Sequence, residues 1–565
     1  MKMTGAEAII EALKQEGVPV VFGYPGGAVL GFYDALYKTG FPHILTGHEQ
    51  GAVHAADGYA RATGKVGVCV ATSGPGVCNM VTGIATANMD SIPLVIISGQ
   101  VATSLIGQDA FQEADTAGIT TPITKYNYLV RKVENLPRVL KEAFYIARTG
   151  RPGPVLIDIV TDVFDAELDF QYPEEVHMLG YSGSPSPHIQ DVQRAAAALK
   201  LCRRPVIMAG GGVVLSDTAD VLTKVAEETG IPVVTTLMGK GAVPDTLPQN
   251  LGMLGMHGGY APNMAIQGCD LLLAFGVRFD ERSTGKAALF APAARVVHFN
   301  VEPGEINKII PAQVSVPGDL RQSLPLFEKL IAPEAGLYKE KFAAWLEQTE
   351  DMKAEYPFAA HEYKDGVSPE LVLKKAAERI GQNGIIVTDV GQHQMWAAQF
   401  MPTDIPRHFI TSGGLGTMGF GLPAALGAKV GEPDKTVLLV TGDGSVMMNC
   451  QEFATLPTYG IHVKTIVLRN GQLGMVRQLQ EFFRGGRYSQ TKLIKKPSVA
   501  KVAEAMDIPS RVVHTAAELD EGLAFLFGAE DSALLEVDIP EYEKVYPVVP
   551  GSKGLDSMIL GGDNE

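Results

Sequence analysis

Short runs of apolar and β-branched residues alternate along this chain with longer stretches whose apolar positions recur at helical spacing. That alternation predicts an α/β fold built on mostly parallel sheets flanked by helices. The opening residues, MKMTGAEAIIEALKQEG, form an amphipathic helix, and strands follow at 18–23, 66–74, 93–99 and 154–160. A stretch rich in Pro, Ser and Gly at 172–188 reads as a linker. A second block starts at RRPVIMAGGG (203–212) and continues through IPVVTT, CDLLLAFG and ARVVHFNVEP. A charged helical region near 335–365 leads to a third block, with strands at 384–391, 435–444, 463–471 and 533–539. The expected division is therefore three domains, 1–175, 188–335 and 365–545, followed by a loop-like tail at 546–565.

Composition changes this picture mainly by exclusion. At roughly 150 residues per domain, 565 residues suit three or four domains. Lys and Arg number 47 against 63 Asp and Glu, a net charge of −16, so a phosphate-backbone binder would have to hide a basic patch in an acidic surface. Nucleic acid is not an expected partner. The five cysteines are scattered without a CxxC pair, which argues against a zinc site or disulfide framework and fits a reducing compartment. No apolar run reaches the ~18 residues of a membrane span. The N-terminal helix lacks the pattern of a signal peptide, so a soluble, cytoplasmic enzyme is expected.

The segment GDGSVMMNCQEF…VLRNGQLG carries the most specific chemistry. A strand ends near Val440, and Gly442-Asp443-Gly444-Ser445 then turns into what reads as a helix N-terminus. Glycines let the backbone approach a phosphate, and free N–H groups at a helix start favour an anion. Asp443 offers a hard oxygen, and Asn470, 27 residues on at the end of the next strand, offers a second. With diphosphate oxygens and water, such a set suits Mg²⁺. A GDG turn alone is explained as well by a strand-to-helix connection; the asparagine at the next strand end makes the pair specific.

This pair resembles the thiamine-diphosphate (ThDP) motif, with 24 residues between Ser445 and Asn470, one fewer than its nominal form. FGYPGGAVL, HEQGAVHAADGYARATGKVGVCVATSGPG, LIGQDAFQEAD, GRPGPVLIDI, LGMHGG, GVRFDERSTGK, GQHQMWAAQF and GGLGTMGFGLPAALGA together resemble the catalytic subunit of acetohydroxyacid (acetolactate) synthase. The resemblance runs in order from about residue 4 to 550. It implies ThDP-dependent decarboxylation of pyruvate and transfer of the hydroxyethyl unit to a second 2-keto acid, as in branched-chain amino acid biosynthesis.

The resemblance also assigns residues. Glu49 matches the carboxylate that supports the aminopyrimidine ring in removing the C2 proton, a role that suits an acid in an apolar crevice. A surface carboxylate at a helix start is the bland alternative. Gln112 joins Glu49 as catalytic. Pro25, Gly27, Asn79, Gln392, His393, Gly416, Met418, Gly442, Asp443, Gly444, Ser445 and Asn470 match ThDP contacts. Within these, Gly416 holds the aminopyrimidine through its backbone and Met418 props the cofactor into its bent form. A core methionine and a hydrogen-bonded loop histidine are the plain alternatives for Met418 and His393. Asp443, Asn470 and Gln472 form the implied Mg²⁺ set. In the family, Glu49 and the GDG turn that meet at one cofactor belong to different subunits, implying at least a homodimer; dimer versus tetramer and a small regulatory subunit stay open.

Arg151, Gly210, Gly211, Gly212, His257, Arg278, Asn300, Glu302 and Asp319 match an FAD site without a redox role in the main reaction. Two positions depart: the family's acidic pair stands here as Asn300 and Glu302, and a usual lysine is Thr161. Phe111, Met256, Arg282 and Leu479 match the pocket of the second substrate, where Arg282 can pair with a 2-keto-acid carboxylate. Leu479 replaces a tryptophan that packs on the extra methyl of 2-ketobutyrate; one methylene is worth ~1–3 kcal/mol, so a weakened preference for that substrate is expected. Ala102 and Glu281 replace the usual Pro and Asp on the access channel, and with Leu479 they predict low sensitivity to herbicides that plug it. The alternatives are an FAD-independent catabolic acetolactate synthase, a pyruvate oxidase or decarboxylase, and a non-catalytic scaffold. Intact Glu49, Asp443 and Asn470 argue against the last.

Overall fold

The computed structural model describes residues 2–561 except 182, 359, 361, 362, 364, 365 and 494–497. The expected start of the third domain, residue 365, and residues 562–565 of the tail lie outside the described residues. Three six-stranded parallel sheets follow one another along the chain, each covered by helices. Their central strands, such as Val68–Ala71, Leu271–Phe275 and Val437–Val440, are buried end to end, which is why they read as unbroken apolar runs rather than alternating ones.

All three sheets share one topological device. In the N-terminal sheet the chain runs from Val21–Gly23 to the edge strand His43–Leu45, then crosses to Gly67–Ala71 on the other side. The middle sheet departs from Pro205–Ala209 toward Val233–Thr235, then returns to Leu271–Phe275 on the opposite flank. The C-terminal sheet goes from Ile385–Thr388 out to Phe409–Ile410 and back to Val437–Gly442. Each reversal opens a crevice at the carboxyl ends of two adjacent strands, where open α/β sheets bind ligands. Pro25–Gly27, Gly210–Gly212 and Asp443–Ser445 all follow strands that border these crevices.

The helices Glu49–Thr63 and Gly421–Gly431 lock the N- and C-terminal units together. A Cβ on Gly58 would overlap the Ala424 backbone, and one on Gly427 would overlap the Ala55 carbonyl, so two backbones approach as only glycine allows. Thr4 and Glu7 form a capping box that starts the expected N-terminal helix at Gly5.

Several expectations are corrected. The strand expected at 18–23 is Val21–Gly23, because Pro19 offers no N–H to a ladder. The strands His43–Leu45, Tyr126–Val130, Phe409–Ile410 and Ser510–Val513 went unrecognised; all are sheet edges, short or only partly buried. The helix expected directly after GDGS is replaced by two short 3₁₀ turns, Val446–Met448 and Cys450–Phe453. Asn449 between them turns its amide to the Gly419 carbonyl at 2.7 Å, a tertiary bond that competes with helix continuation.

Candidate active site

Three neighbouring strands of the C-terminal sheet end at one cleft: Ile385–Thr388 leads to Gly391–His393, Val437–Gly442 to Asp443–Ser445, and Val463–Arg469 to Asn470–Gln472. The helices Gln392–Phe400 and Gly474–Arg484 both begin at its wall, and neither start carries a side-chain cap. Their free N–H groups favour an anion here, in place of the helix start expected after GDGS.

Asp443 is buried and accepts the Gly471 N–H at 2.8 Å; the Asn470 side-chain oxygen, Oδ1, accepts the Gln472 N–H at 2.9 Å. The Gln472 amide donates to Glu541 at 2.6 Å, while its backbone carbonyl faces Gly444, so the carbonyl is what Gln472 can offer a cation. Among the described residues no cluster of three or more His, Cys, Asp or Glu could hold a metal. An Asp, Asn and carbonyl set with phosphate oxygens is the kind Mg²⁺ accepts.

Two buried polar atoms in this cleft, His393 Nε2 and Ser445 Oγ, find no partner among the described residues. Buried polar atoms are almost always satisfied, so these orphans point to a missing partner. Burial holds the His393 imidazole down at about 3, so it is neutral at physiological pH. Added Cβ atoms on Gly442 and Gly444 would stand 2.8 Å from His393 Nδ1 and Leu473, leaving room only for a bare backbone. Asn470, Gln392 and Gly474 pack together, and Gln392 donates to Gln478 and the Glu543 carbonyl. A diphosphate with its Mg²⁺ fits this donor set.

A second cavity of about 760 Å³ runs from the middle sheet's crevice to the same place. Arg151, Gly210–Gly212, His257, Arg278, Asn300 and Asp319 line it, as do Met256, Arg282 and Leu479. Val390, Gly391, Met418, Met475 and Val476 line both cavities, so Met418 stands at their junction. Gly416 takes φ +69, a conformation glycine adopts freely. Glu302 is not on the cavity wall: its carboxylate turns back to the Gly304 N–H at 3.2 Å. Glu305 is there instead, paired with Arg151 at 3.2 Å and Lys308 at 3.0 Å. Asn300 donates to the Val277 carbonyl at 2.8 Å, bracing the turn before Arg278, a bond that an aspartate could not make. Burial and then Arg278 push the Arg151 guanidinium down, as expected where cations gather for an anionic ligand. His257 is buried, held down to about 4, and its Nδ1 bonds the Pro547 carbonyl at 3.1 Å.

The remaining sequence candidates lie elsewhere. Glu49 opens the helix Glu49–Thr63, and Asn79 donates to it at 3.0 Å. Pro25, Gly27, Glu49, Asn79, Phe111 and Gln112 line neither cavity of this chain. Phe111 is 88% exposed, and Gln112 takes φ +60 beside Gly74. Residues that sequence reasoning missed include Asp389, Asp90 and Glu305. Asp389 is buried, accepts the N–H groups of Val390 and Gly419 at 2.9 Å each, and is pushed up to about 6 by burial. Its place at a strand end before GQHQ was the available signal.

Three family models match the chain in order: the N-terminal thiamine pyrophosphate binding domain over residues 3–119, the central domain over 192–326, and the C-terminal thiamine pyrophosphate binding domain over 389–537. The chain is 46% identical to a probable acetolactate synthase large subunit of Methanocaldococcus jannaschii, over 98% of this chain and 94% of that one. It is 43% identical to the acetolactate synthase isozyme 3 large subunit of Escherichia coli, over 99% of this chain and 98% of that one. Identity to an acetolactate synthase of Mycobacterium bovis is 48%, over 89% and 83%.

Proposed function

The chain belongs to the thiamine-diphosphate-dependent acetolactate synthase large subunits, and from that premise we propose how its residues divide the work. Asp443, Asn470 and the Gln472 carbonyl hold Mg²⁺, while His393, Ser445 and the two helix starts take the diphosphate. ThDP, when bound, supplies the electron sink for loss of CO₂ from pyruvate. Glu49, steadied by Asn79, holds a proton at the aminopyrimidine ring. Gly416 and Met418 would orient the cofactor at the larger cavity, where Met418 also borders the diphosphate cleft. Arg282 pairs with the carboxylate of the second 2-keto acid, and Leu479 shapes the space for its alkyl end.

The observation that carries this reading is the shared wall at Val390, Gly391 and Met418, which joins a diphosphate-shaped cleft to a cation-lined cavity. FAD would be held in the middle unit's part of that cavity by Gly210–Gly212, Arg151 and Arg278, without a redox role in the main reaction. Because Glu49, Asn79, Pro25 and Gly27 line neither cavity of their own chain, a second copy supplies them, and the working unit is at least a homodimer. The domain limits are 1–175, 188–335 and 365–545. The enzyme is cytoplasmic and serves branched-chain amino acid biosynthesis. No helix of the described residues is long and apolar enough to cross a membrane.

The test is a product assay on purified protein with pyruvate, ThDP and Mg²⁺, with and without FAD. Acetolactate formed only with FAD supports the whole reading. Acetolactate indifferent to FAD moves the protein to the FAD-independent class, a reading favoured by Asn300 and by Glu302, which turns back to Gly304 off the cavity wall. Acetaldehyde or acetate as the main product overturns the assignment of the second substrate site.

A further inference from the structure

Glu452 is a fully buried carboxylate nine residues beyond Asp443, and none of the steps above uses it. It belongs to the 3₁₀ turn Cys450–Phe453 that follows the GDGS loop in the C-terminal unit, yet its partner lies in the N-terminal one. Its Oε2 accepts the Gly47 N–H at 3.1 Å and the Thr455 hydroxyl at 2.8 Å. Gly47 stands two residues before Glu49. The other oxygen, Oε1, finds no partner among the described residues and points at Gly51, in the first turn of the Glu49 helix. A Cβ at Gly51 would overlap that oxygen, so this glycine leaves the carboxylate its place against the helix start. Burial pushes the Glu452 carboxyl up, and the N–H groups of Gly47 and His48 at the helix start oppose that shift.

The turn that carries Glu452 is itself tied to the cofactor loops. Asn449 donates to the Gly419 carbonyl at 2.7 Å, Gly419 donates to Asp389 at 2.9 Å, and the Glu452 N–H donates to the Asn449 carbonyl at 3.1 Å. A continuous set of hydrogen bonds therefore runs from the strand end at Asp389 through the Met418–Gly419 turn to Gly47.

We propose that Glu452 is a positioning residue for Glu49: it fixes the Gly47–His48 turn so that the Glu49 carboxylate is held where it can serve the aminopyrimidine ring. The proposal rests on the reading of Glu49 given above. Glu452 touches neither substrate nor cofactor, and acts through the backbone that precedes the acid.

The test is the exchange of the C2 proton of bound ThDP for deuterium, measured per bound cofactor in the Mg²⁺-loaded holoenzyme, for wild type, Glu452→Ala, Glu452→Gln and Gly51→Ala. Glu452→Ala slows exchange by at least ~10-fold, the scale expected of a misplaced catalytic group, while KM for pyruvate stays within about twofold. Glu452→Gln keeps an acceptor for Gly47 and recovers part of the rate. Gly51→Ala displaces the carboxylate and slows exchange like Glu452→Ala; with Glu452→Gln it keeps the proposal testable if the alanine variant fails to fold. Wild-type exchange per bound cofactor in Glu452→Ala and Gly51→Ala, whatever their melting temperatures, overturns the proposal and leaves the role of Glu49 intact. Wild type that exchanges no faster than free ThDP overturns both.

Discussion

Asp90, the last residue of the helix Pro75–Asp90, accepts the backbone N–H of Gly414 from the C-terminal unit at 2.7 Å. The same carboxylate takes the Gly413 N–H at 3.2 Å and Arg61 Nη2 at 2.9 Å, and Arg61 also pairs with Asp57 and donates to the Thr411 carbonyl at 2.8 Å. Burial works against the Arg61 charge, but Asp57 and Asp90 outweigh it and hold the guanidinium above its usual range. This network joins two units beside the larger cavity, whose wall includes Asp90, Gly413 and Gly414.

Removing one partner from such a network strands buried donors. Asp90→Ala is expected to destabilise the protein by roughly 3 kcal/mol or more, and Asp90→Asn by less, because the amide oxygen still accepts. Denaturant unfolding of the purified protein checks this. An unchanged midpoint for Asp90→Ala would mean that the joint is not under load.

Ser445 separates cofactor binding from stability. Its hydroxyl is buried and unpartnered among the described residues, so Ser445→Ala relieves an unmet hydrogen bond and leaves the cofactor-free protein as stable as before, or more so. ThDP affinity falls about tenfold with loss of a charge-assisted bond. Titration calorimetry and thermal unfolding on the same samples decide it; a loss of stability without a loss of affinity sinks the assignment. Asp443→Ala and Asn470→Ala should abolish Mg²⁺-dependent binding altogether.

Leu479 lies on the cavity wall with Met256 and Arg282. Leu479→Trp is expected to raise selectivity for 2-ketobutyrate over pyruvate by the value of about one methylene contact, ~1–3 kcal/mol or roughly 10- to 200-fold. Competition between the two acids reads the ratio directly. Strong 2-ketobutyrate selectivity in the wild type would refute the role given to Leu479. Glu281 lies on the same wall, and with Ala102 and Leu479 it predicts weak inhibition by herbicides that plug the access channel.

Among the described residues six histidines are held below their ordinary value, in each case first by loss of solvent: His54 and His393 to about 3, His43 and His257 to about 4, with His298 and His408 lowered as well. Below about 6.5 the unfolded chain binds protons that the folded one refuses, so stability is full above that pH and falls as pH drops toward 4. The slope approaches ~1.4 kcal/mol per pH unit for each histidine. Asp389 works the other way: raised to about 6, it protonates in the folded state first and offsets part of the loss between about 6 and 4. Unfolding measured from pH 7 to pH 4 tests the net sign, and His43→Gln or His54→Gln should flatten the curve.

What the sequence alone determined is local in kind. Unbroken apolar runs such as Pro205–Ala209 and Leu271–Phe275 identified buried parallel strands, because a strand covered on both faces has no polar alternation to hide it. Asp443 and Asn470 were legible because each follows the end of its own strand, and adjacent parallel strands bring such ends together. The tertiary structure alone decided what depends on partners remote in sequence. The 3₁₀ turns after GDGS follow from Asn449 reaching Gly419, the acidic residue on the cavity wall is Glu305 because Glu302 caps its own turn, and Asp90 meets Gly414 across 324 positions of chain. Periodicity reports which face of an element is buried. It carries no record of which backbone N–H from another unit will arrive at a carboxylate, and that is settled only when the crevices of the sheets close on one another.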